Sequence, residues 1–239
     1  MTDRTMTDRI AKRPFHIILL VDASTSMRGE RIGQVNSALR DIKAHLTEMQ
    51  SENVNVDFFL TVVPFSTEAT LLNNDRSKAI DTFDFADIRA GGQSNLHLAY
   101  MELADLLKKE SKGGIMPDFG GLAPILLLMT DGHPTKSVKE ELKALRALPW
   151  FRVALKYGIA IGLDDQRTMD TLHEFVSGNG DVIGCYNSKL LSRIIQIIVL
   201  TASQVCSQSS LVQHGSKKSV TKQIDIQIQC ALGEEDWEW

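Results

Sequence analysis

Residues 15 to 27 read F-H-I-I-L-L-V-D-A-S-T-S-M, and the fold turns on this stretch. Phe15 to Val21 is almost unbroken apolar sequence, rich in Ile, Leu and Val. A run this short and this branched predicts a strand buried on both faces, as inside a parallel sheet. It ends at Asp22, and Ser24 and Ser26 follow at alternate positions. A charge at the end of a buried strand marks where the chain leaves the core. In open α/β sheets ligands bind outside the carboxyl ends of the strands. A carboxylate and two hydroxyls within five residues gather hard oxygens. Such oxygens suit Mg2+, Mn2+ or Ca2+ rather than a soft metal.

A second stretch has the same build. Ala123 to Thr130, A-P-I-L-L-L-M-T, is another apolar strand pattern, and it ends at Asp131-Gly132. If both strands run parallel in one sheet, Asp22 and Asp131 emerge at one edge. Carboxylates brought together repel unless a cation or protons lie between them. Between the strands lies Gly91-Gly92-Gln93-Ser94-Asn95-Leu96, a glycine turn entering a helical pattern with a hydroxyl at Ser94. The constellation is D-x-S-x-S, a loop hydroxyl, then T-D-G.

This constellation resembles the metal-ion-dependent adhesion site of von Willebrand factor A domains. The resemblance spans roughly residues 14 to 203. V-D-x-S-x-S-M, the Gly-Gly loop and L-L-x-x-T-D-G-x-P-T look like the bacterial intracellular branch of that family, which includes tellurium-resistance proteins. It implies metal ligands at Asp22, Ser24, Ser26, Ser94 and Asp131. The family's middle ligand is usually a threonine in G-G-T-x-L, whereas this loop reads G-G-Q-S-N-L. Ser94 matches by its place two residues before Leu96, and Gln93 is the alternative. Ser94 also reads as the N-cap of the following helix. Met27, Gln93, Gly132 and His133 are expected on a partner-binding rim. A lone loop histidine such as His133 suits a rim better than a catalytic base.

Length and composition bound the rest. The 239 residues suffice for one sizeable α/β domain. Hydrophobic content of 43% and charged content of 23% are those of an ordinary globular chain. A net charge of −4 argues against a general nucleic-acid binder. The three cysteines, Cys185, Cys206 and Cys230, form no C-x-x-C pair, which indicates neither a zinc nor a redox site. Lys12, Arg13, Pro14 and His16 interrupt the apolar stretch near the start, so no signal peptide is expected. No run reaches the ~20 apolar residues of a membrane helix. The expectation is a cytoplasmic protein without a membrane or nucleic-acid partner.

Along the chain, residues 1 to 13 repeat M-T-D-R and read as a flexible leader. Ile32, Val35, Leu39, Ile42, Leu46 and Met49 form one apolar helix face after Arg28-Gly29-Glu30. Residues 54 to 63 predict a strand, and Ser66 to Leu72 a short antiparallel edge strand. Asp81, Asp84 and Asp87 make an acidic loop, read as solvated in preference to a second metal site. Helices are expected over 94 to 110, from about 134 to 148, over 164 to 176 and over 189 to 202. Strands are expected over 151 to 162 and 181 to 186. The helix over 189 to 202 is apolar nearly all round, so it packs deeply or meets a partner. The alternation predicts an α/β, doubly wound, mostly parallel central sheet with one antiparallel edge strand and helices on both faces. Residues 14 to 203 make up this domain. Residues 204 to 239 read as a linker, a short strand on Ile224, Ile226 and Ile228, and an acidic tail with two tryptophans. That tail is either solvated or a docking peptide.

The functional expectation is a Mg2+-dependent (or Mn2+- or Ca2+-dependent) protein-interaction module. A partner's Asp or Glu carboxylate would complete the metal's coordination, and the resemblance implies a stress-response scaffold with a kinase or phosphatase as partner. The alternatives are a metal-dependent phosphohydrolase and a scaffold with a vestigial site. The phosphohydrolase is disfavoured because the second acid expected two residues after a nucleophilic aspartate is here Ser24. No G-x-x-x-x-G-K-[ST] loop is present either.

Overall fold

The computed structural model describes residues 12–72, 76–162, 165–177, 181–208, 222–224 and 226–230. Six strands form one sheet: β1 (Arg13–Asp22), β2 (Val56–Phe65), β3 (Lys78–Ala79), β4 (Ile125–Thr130), β5 (Leu155–Ile161) and β6 (Val182–Cys185). Their order is β3-β2-β1-β4-β5-β6. All neighbours are parallel except β3, which pairs antiparallel with β2 through Phe59 and Leu60. The chain leaves β1 for β2 on one side and later returns to β4 on the other. This reversal opens a crevice at the carboxyl ends of β1 and β4, where open α/β sheets place ligands.

The continuous apolar runs of β1 and β4 are buried throughout because both faces of the sheet are covered. Phe15, Ile17, Leu19 and Val21 point into one core, shared with α1 (Glu30–Glu52) and α6 (Ser188–Gln208). Ile18 and Leu20 point into the other, shared with α2 (Leu96–Leu106), α3 (Lys139–Ala147), the short α4 (Pro149–Val153) and α5 (Gln166–Val176). The fold is thus the expected doubly wound sheet. Among the described residues, no helix is long and apolar enough to cross a membrane.

Several boundaries differ from the sequence reading. β2 runs through Pro64, whose carbonyl accepts from Thr70 on the side away from β1. The ring nitrogen points the same way, so β1 loses no hydrogen bond. The regular antiparallel edge is residues 78–79, not 66–72. Residues 70 and 72 still donate backbone bonds to Pro64 and Val62, so that segment follows the edge irregularly. Phe151 belongs to α4, which Pro149 initiates, and not to the following strand. The acidic loop is strapped to α1: Asp87 meets Arg40 at 2.5 Å and Asp84 meets Lys43 at 3.2 Å. The buried amide of Asn36 secures the same strap, donating to Ile88 O at 3.0 Å and accepting from Ile88 N at 2.8 Å.

The last described segment is also corrected. Residues 222–224 and 226–230 are helical, where the alternation of Ile224, Ile226 and Ile228 predicted a strand. Ile224 and Ile228 are four apart and so share one helix face. They are 0% and 2% exposed, against 54% for Ile226. Thr201 of α6 donates to Gln227 Oε1 at 3.0 Å. Both isoleucines join the core that holds Leu191, Ile194, Ile195 and Ile198. The all-round apolarity of α6 is therefore met within the chain, by the sheet, α1 and this segment. α6 also extends to Gln208, into the expected linker. Of the expected leader at 1–13, residues 1–11 lie outside the described residues, as do residues 209–219 of the expected linker and the acidic tail at 233–239, while Arg13 already begins β1.

One buried polar residue on β1 has a measurable consequence. His16 is 2% exposed, stacks on Phe59 at 5.0 Å and has no hydrogen-bond partner on either ring nitrogen. Burial pushes its pKa down to about 4. The unfolded chain takes a proton on this imidazole below about 6.5, whereas the folded chain resists it until about 4. Stability is therefore full above pH 6.5 and falls as pH drops through that window. Between pH 6.5 and 5 the loss from this group is about 2 kcal/mol. Chemical denaturation across this range is expected to show that loss in the native protein, and a correspondingly flatter profile in His16→Phe, which keeps the stacking.

Candidate metal centre

Three loops meet at the carboxyl end of β1 and β4. The first begins with Asp22, whose Oδ1 accepts the backbone N–H of Ser24 at 2.8 Å. This turns the chain into a single 3-10 turn, Thr25–Met27. Met27 is fully buried in the core below the loop. It anchors the turn and does not join the rim, because the tight turn points its side chain inward. Gly29 then precedes α1 with φ of 81°.

The middle loop is pinned to the first by backbone bonds. Gly91 N donates to Ala23 O at 2.7 Å, and both Thr25 N and Thr25 Oγ1 donate to Gly92 O. Gly92 has φ of +89°, and a Cβ there would lie 2.4 Å from Thr67 Oγ1, so the position requires glycine. The third loop is pinned to the middle one: Thr135 donates to Ser94 O from both its backbone N–H and its hydroxyl, each at 3.0 Å. Loops that would otherwise wander are thus held in register with one another.

Within this frame the expected residues come together. Ser94 Oγ donates to Asp22 Oδ2 at 2.9 Å. Ser24 Oγ and Ser26 Oγ are 3.0 Å apart, and Ser26 Oγ donates to Asp131 Oδ1 at 2.7 Å. Asp22 and Asp131 are 0% and 1% exposed, so the carboxylates form the floor. Ser94 is not the helix cap: α2 starts at Leu96 after Asn95, and the Ser94 hydroxyl faces Asp22 instead. Gln93 and His133 are exposed, Gly132 is half-buried, and the Gln93 backbone N–H is held by Thr67.

Two participants escaped the sequence reading. Thr130, the threonine of T-D-G, donates to Asp22 Oδ2 at 2.7 Å and accepts from Gly132 N at 3.1 Å. Arg31, in the first turn of α1, places Nη1 2.6 Å from Asp131 Oδ2 and 3.1 Å from Ser26 O. Thr130 was legible as the residue preceding Asp131. Nothing local marks Arg31, since its partner lies 100 positions away.

The donor set is five hard oxygen side chains, two of them carboxylates, in two hydrogen-bonded groups: Ser94 with Asp22, and Ser24 and Ser26 with Asp131, joined where the Ser24 backbone N–H donates to Asp22. That chemistry fits an oxygen-seeking divalent cation. Among the described residues there is no cluster of three or more His, Cys, Asp or Glu suited to a metal, so a soft-ligand or all-carboxylate site is not what this centre offers.

Comparisons with known proteins agree with this fold. The model of the von Willebrand factor type A domain matches residues 16–196, and the chain belongs to that family. Inter-alpha-trypsin inhibitor heavy chain H4 of Bos taurus is 31% identical over 136 residues, covering 54% of this chain and 14% of that protein. Heavy chain H1 of Sus scrofa is 26% identical over 136 residues, covering 55% and 14%. The chain thus spans about one-seventh of the length of these curated relatives. Among solved structures, a von Willebrand factor type A protein from Catenulispora acidiphila is similar with a TM-score of 0.59 at 11% identity, covering 80% of this chain and 43% of that one. Proximal thread matrix protein 1 from the mussel byssus, solved with zinc occupying its MIDAS motif, gives 0.52 at 18% identity, covering 82% and 46%.

The Thr130 hydroxyl holds a buried carboxylate, so its loss should be felt in stability. Thr130→Val keeps the shape and removes the donor to Asp22. Urea denaturation is expected to show a loss of roughly 2 kcal/mol, in the range for hydrogen bonds to charged groups.

Proposed function

We propose that this chain is a divalent-metal-dependent protein-interaction module. One observation carries the reading: in a member of this family, the side-chain oxygens of Asp22, Ser24, Ser26, Ser94 and Asp131 converge at the sheet's switch point. Asp22 and Asp131 would supply the negative charge, and the three serine hydroxyls neutral oxygens. A bound Mg2+ or Mn2+ supplies a Lewis-acidic position that an outside carboxylate can complete. The partner is a protein offering an exposed Asp or Glu, and Gln93, Gly132 and His133 flank its approach.

Ser24 stands where an aspartate-nucleophile phosphohydrolase would carry its second acid, and its hydroxyl is engaged with Ser26. The reading is therefore recognition and not bond breaking. A stress-response or tellurium-resistance setting in the cytoplasm, with a kinase or phosphatase as partner, is the narrower form of the proposal. It rests on the motif resemblance alone.

Thermal unfolding with Mn2+ or Mg2+ against chelator tests the module directly. Metal at ten times its dissociation constant should add about 1.4 kcal/mol. For a domain of this size that raises Tm by roughly 3–5 °C. The shift is expected in the native protein and absent in Asp131→Asn. Identical shifts in both proteins would remove Asp131 from the site, and release of phosphate from a generic monoester would point to the phosphohydrolase instead.

A further inference from the structure

The charge at the centre is not what its motif alone supplies. Asp131 has no exposed side-chain surface, and its Oδ2 is bound by the guanidinium of Arg31, which is 31% exposed. The same Nη1 also donates to Ser26 O, so Arg31 grips the first loop and the third together. A Cβ on Gly162 would lie 3.1 Å from Arg31 Nε, so the guanidinium is seated against the end of β5. The neighbouring acid on α1, Glu30, accepts from Gln34 at 3.2 Å. Arg31 is thus a built part of the centre and not a passing surface pair.

Its charge changes the electrostatics of everything that binds there. Without Arg31, a divalent cation would be neutralised by Asp22 and Asp131 and would need nothing more. With Arg31, the same cation leaves the centre one positive charge in excess, and that charge sits in a partly dry crevice where Coulomb terms are large. One carboxylate from outside removes the excess.

We propose that Arg31 is a charge-setting residue that makes firm metal binding at this centre conditional on an anionic ligand. This rests on the metal-dependent reading above and deepens it: Arg31 disfavours the metal alone and favours the metal together with a carboxylate. Coupling of this kind is reciprocal, so the carboxylate partner is equally conditional on the metal.

Calorimetric titration of Mn2+ into the full chain tests it, in chloride and in acetate at matched ionic strength. The proteins are the native chain, Arg31→Gln and Arg31→Lys, each first shown to be folded by its circular-dichroism melt. Arg31→Gln is expected to bind Mn2+ about tenfold tighter than the native chain in chloride, since a nearby positive charge has been removed. Acetate should tighten Mn2+ binding in the native chain severalfold and in Arg31→Gln little. Arg31→Lys, which keeps the charge and loses the fork, should follow the native pattern. Equal Mn2+ affinity in native and Arg31→Gln, or weaker binding in Arg31→Gln, overturns the inference while leaving the metal centre standing. Failure of all three proteins to bind Mn2+ in either salt overturns the metal reading itself.

Discussion

Two carboxylates leave neighbouring strands at the same edge of one sheet, and they cannot both be buried there without compensating charge. The strand order makes the encounter unavoidable: β1 and β4 are adjacent and parallel, and Asp22 and Asp131 follow their last core residues. The chain divides the task unevenly. Asp22 accepts three hydrogen bonds, from Ser24 N, Ser94 Oγ and Thr130 Oγ1. Asp131 accepts a hydroxyl from Ser26 and a full charge from Arg31. Asp22 is therefore solvated by dipoles and Asp131 by an ion pair. Removing a partner from either leaves a buried charge exposed to the low dielectric, which costs more than the lost bond.

The same bonds build the loops. The donors to the carboxylates come from four segments, the first loop, the middle loop, β4 and α1, so neutralising the pair also ties the segments together. Ser94 brings the middle loop to β1, and Ser26 and Arg31 bring the first loop and α1 to β4. The backbone bonds from Gly91, Thr25 and Thr135 then repeat this order in the main chain. Further out, Asn36 clamps Ile88 and so fixes the strap that delivers the middle loop. The site's precision comes from this redundancy, not from any one rigid element.

This also explains what could be read from the sequence and what could not. Buried parallel strands carry their signal locally, as unbroken apolar runs, so β1, β4 and the aspartates that end them were legible. The serines were legible because their spacing from Asp22 is local. Met27 was misplaced because its neighbour Ser26 faces the crevice, and only the 3-10 turn sends the two side chains opposite ways. Ile224, Ile226 and Ile228 satisfy both a period of two and a spacing of four. Packing beside α6 chose the helix, and packing is not written in the segment itself. Arg31 was invisible for the deepest reason: it reads as a solvent-facing residue in a helical first turn until Asp131 is brought beside it by the sheet.

The graded exposure of the crevice sets what can complete it. The carboxylates are at the floor, Ser26 and Thr25 open to solvent, and Gln93 and His133 stand exposed above. The floor holds two carboxylates against one guanidinium, so its net charge is one negative, and a cation is the charge it would draw. On the proposed reading, a carboxylate from a partner side chain would bring the single negative charge that a divalent cation and Arg31 together leave unbalanced. The fold supplies the place, the loops hold the oxygens in register, and the ion pair at Asp131 would set the sign of what fits.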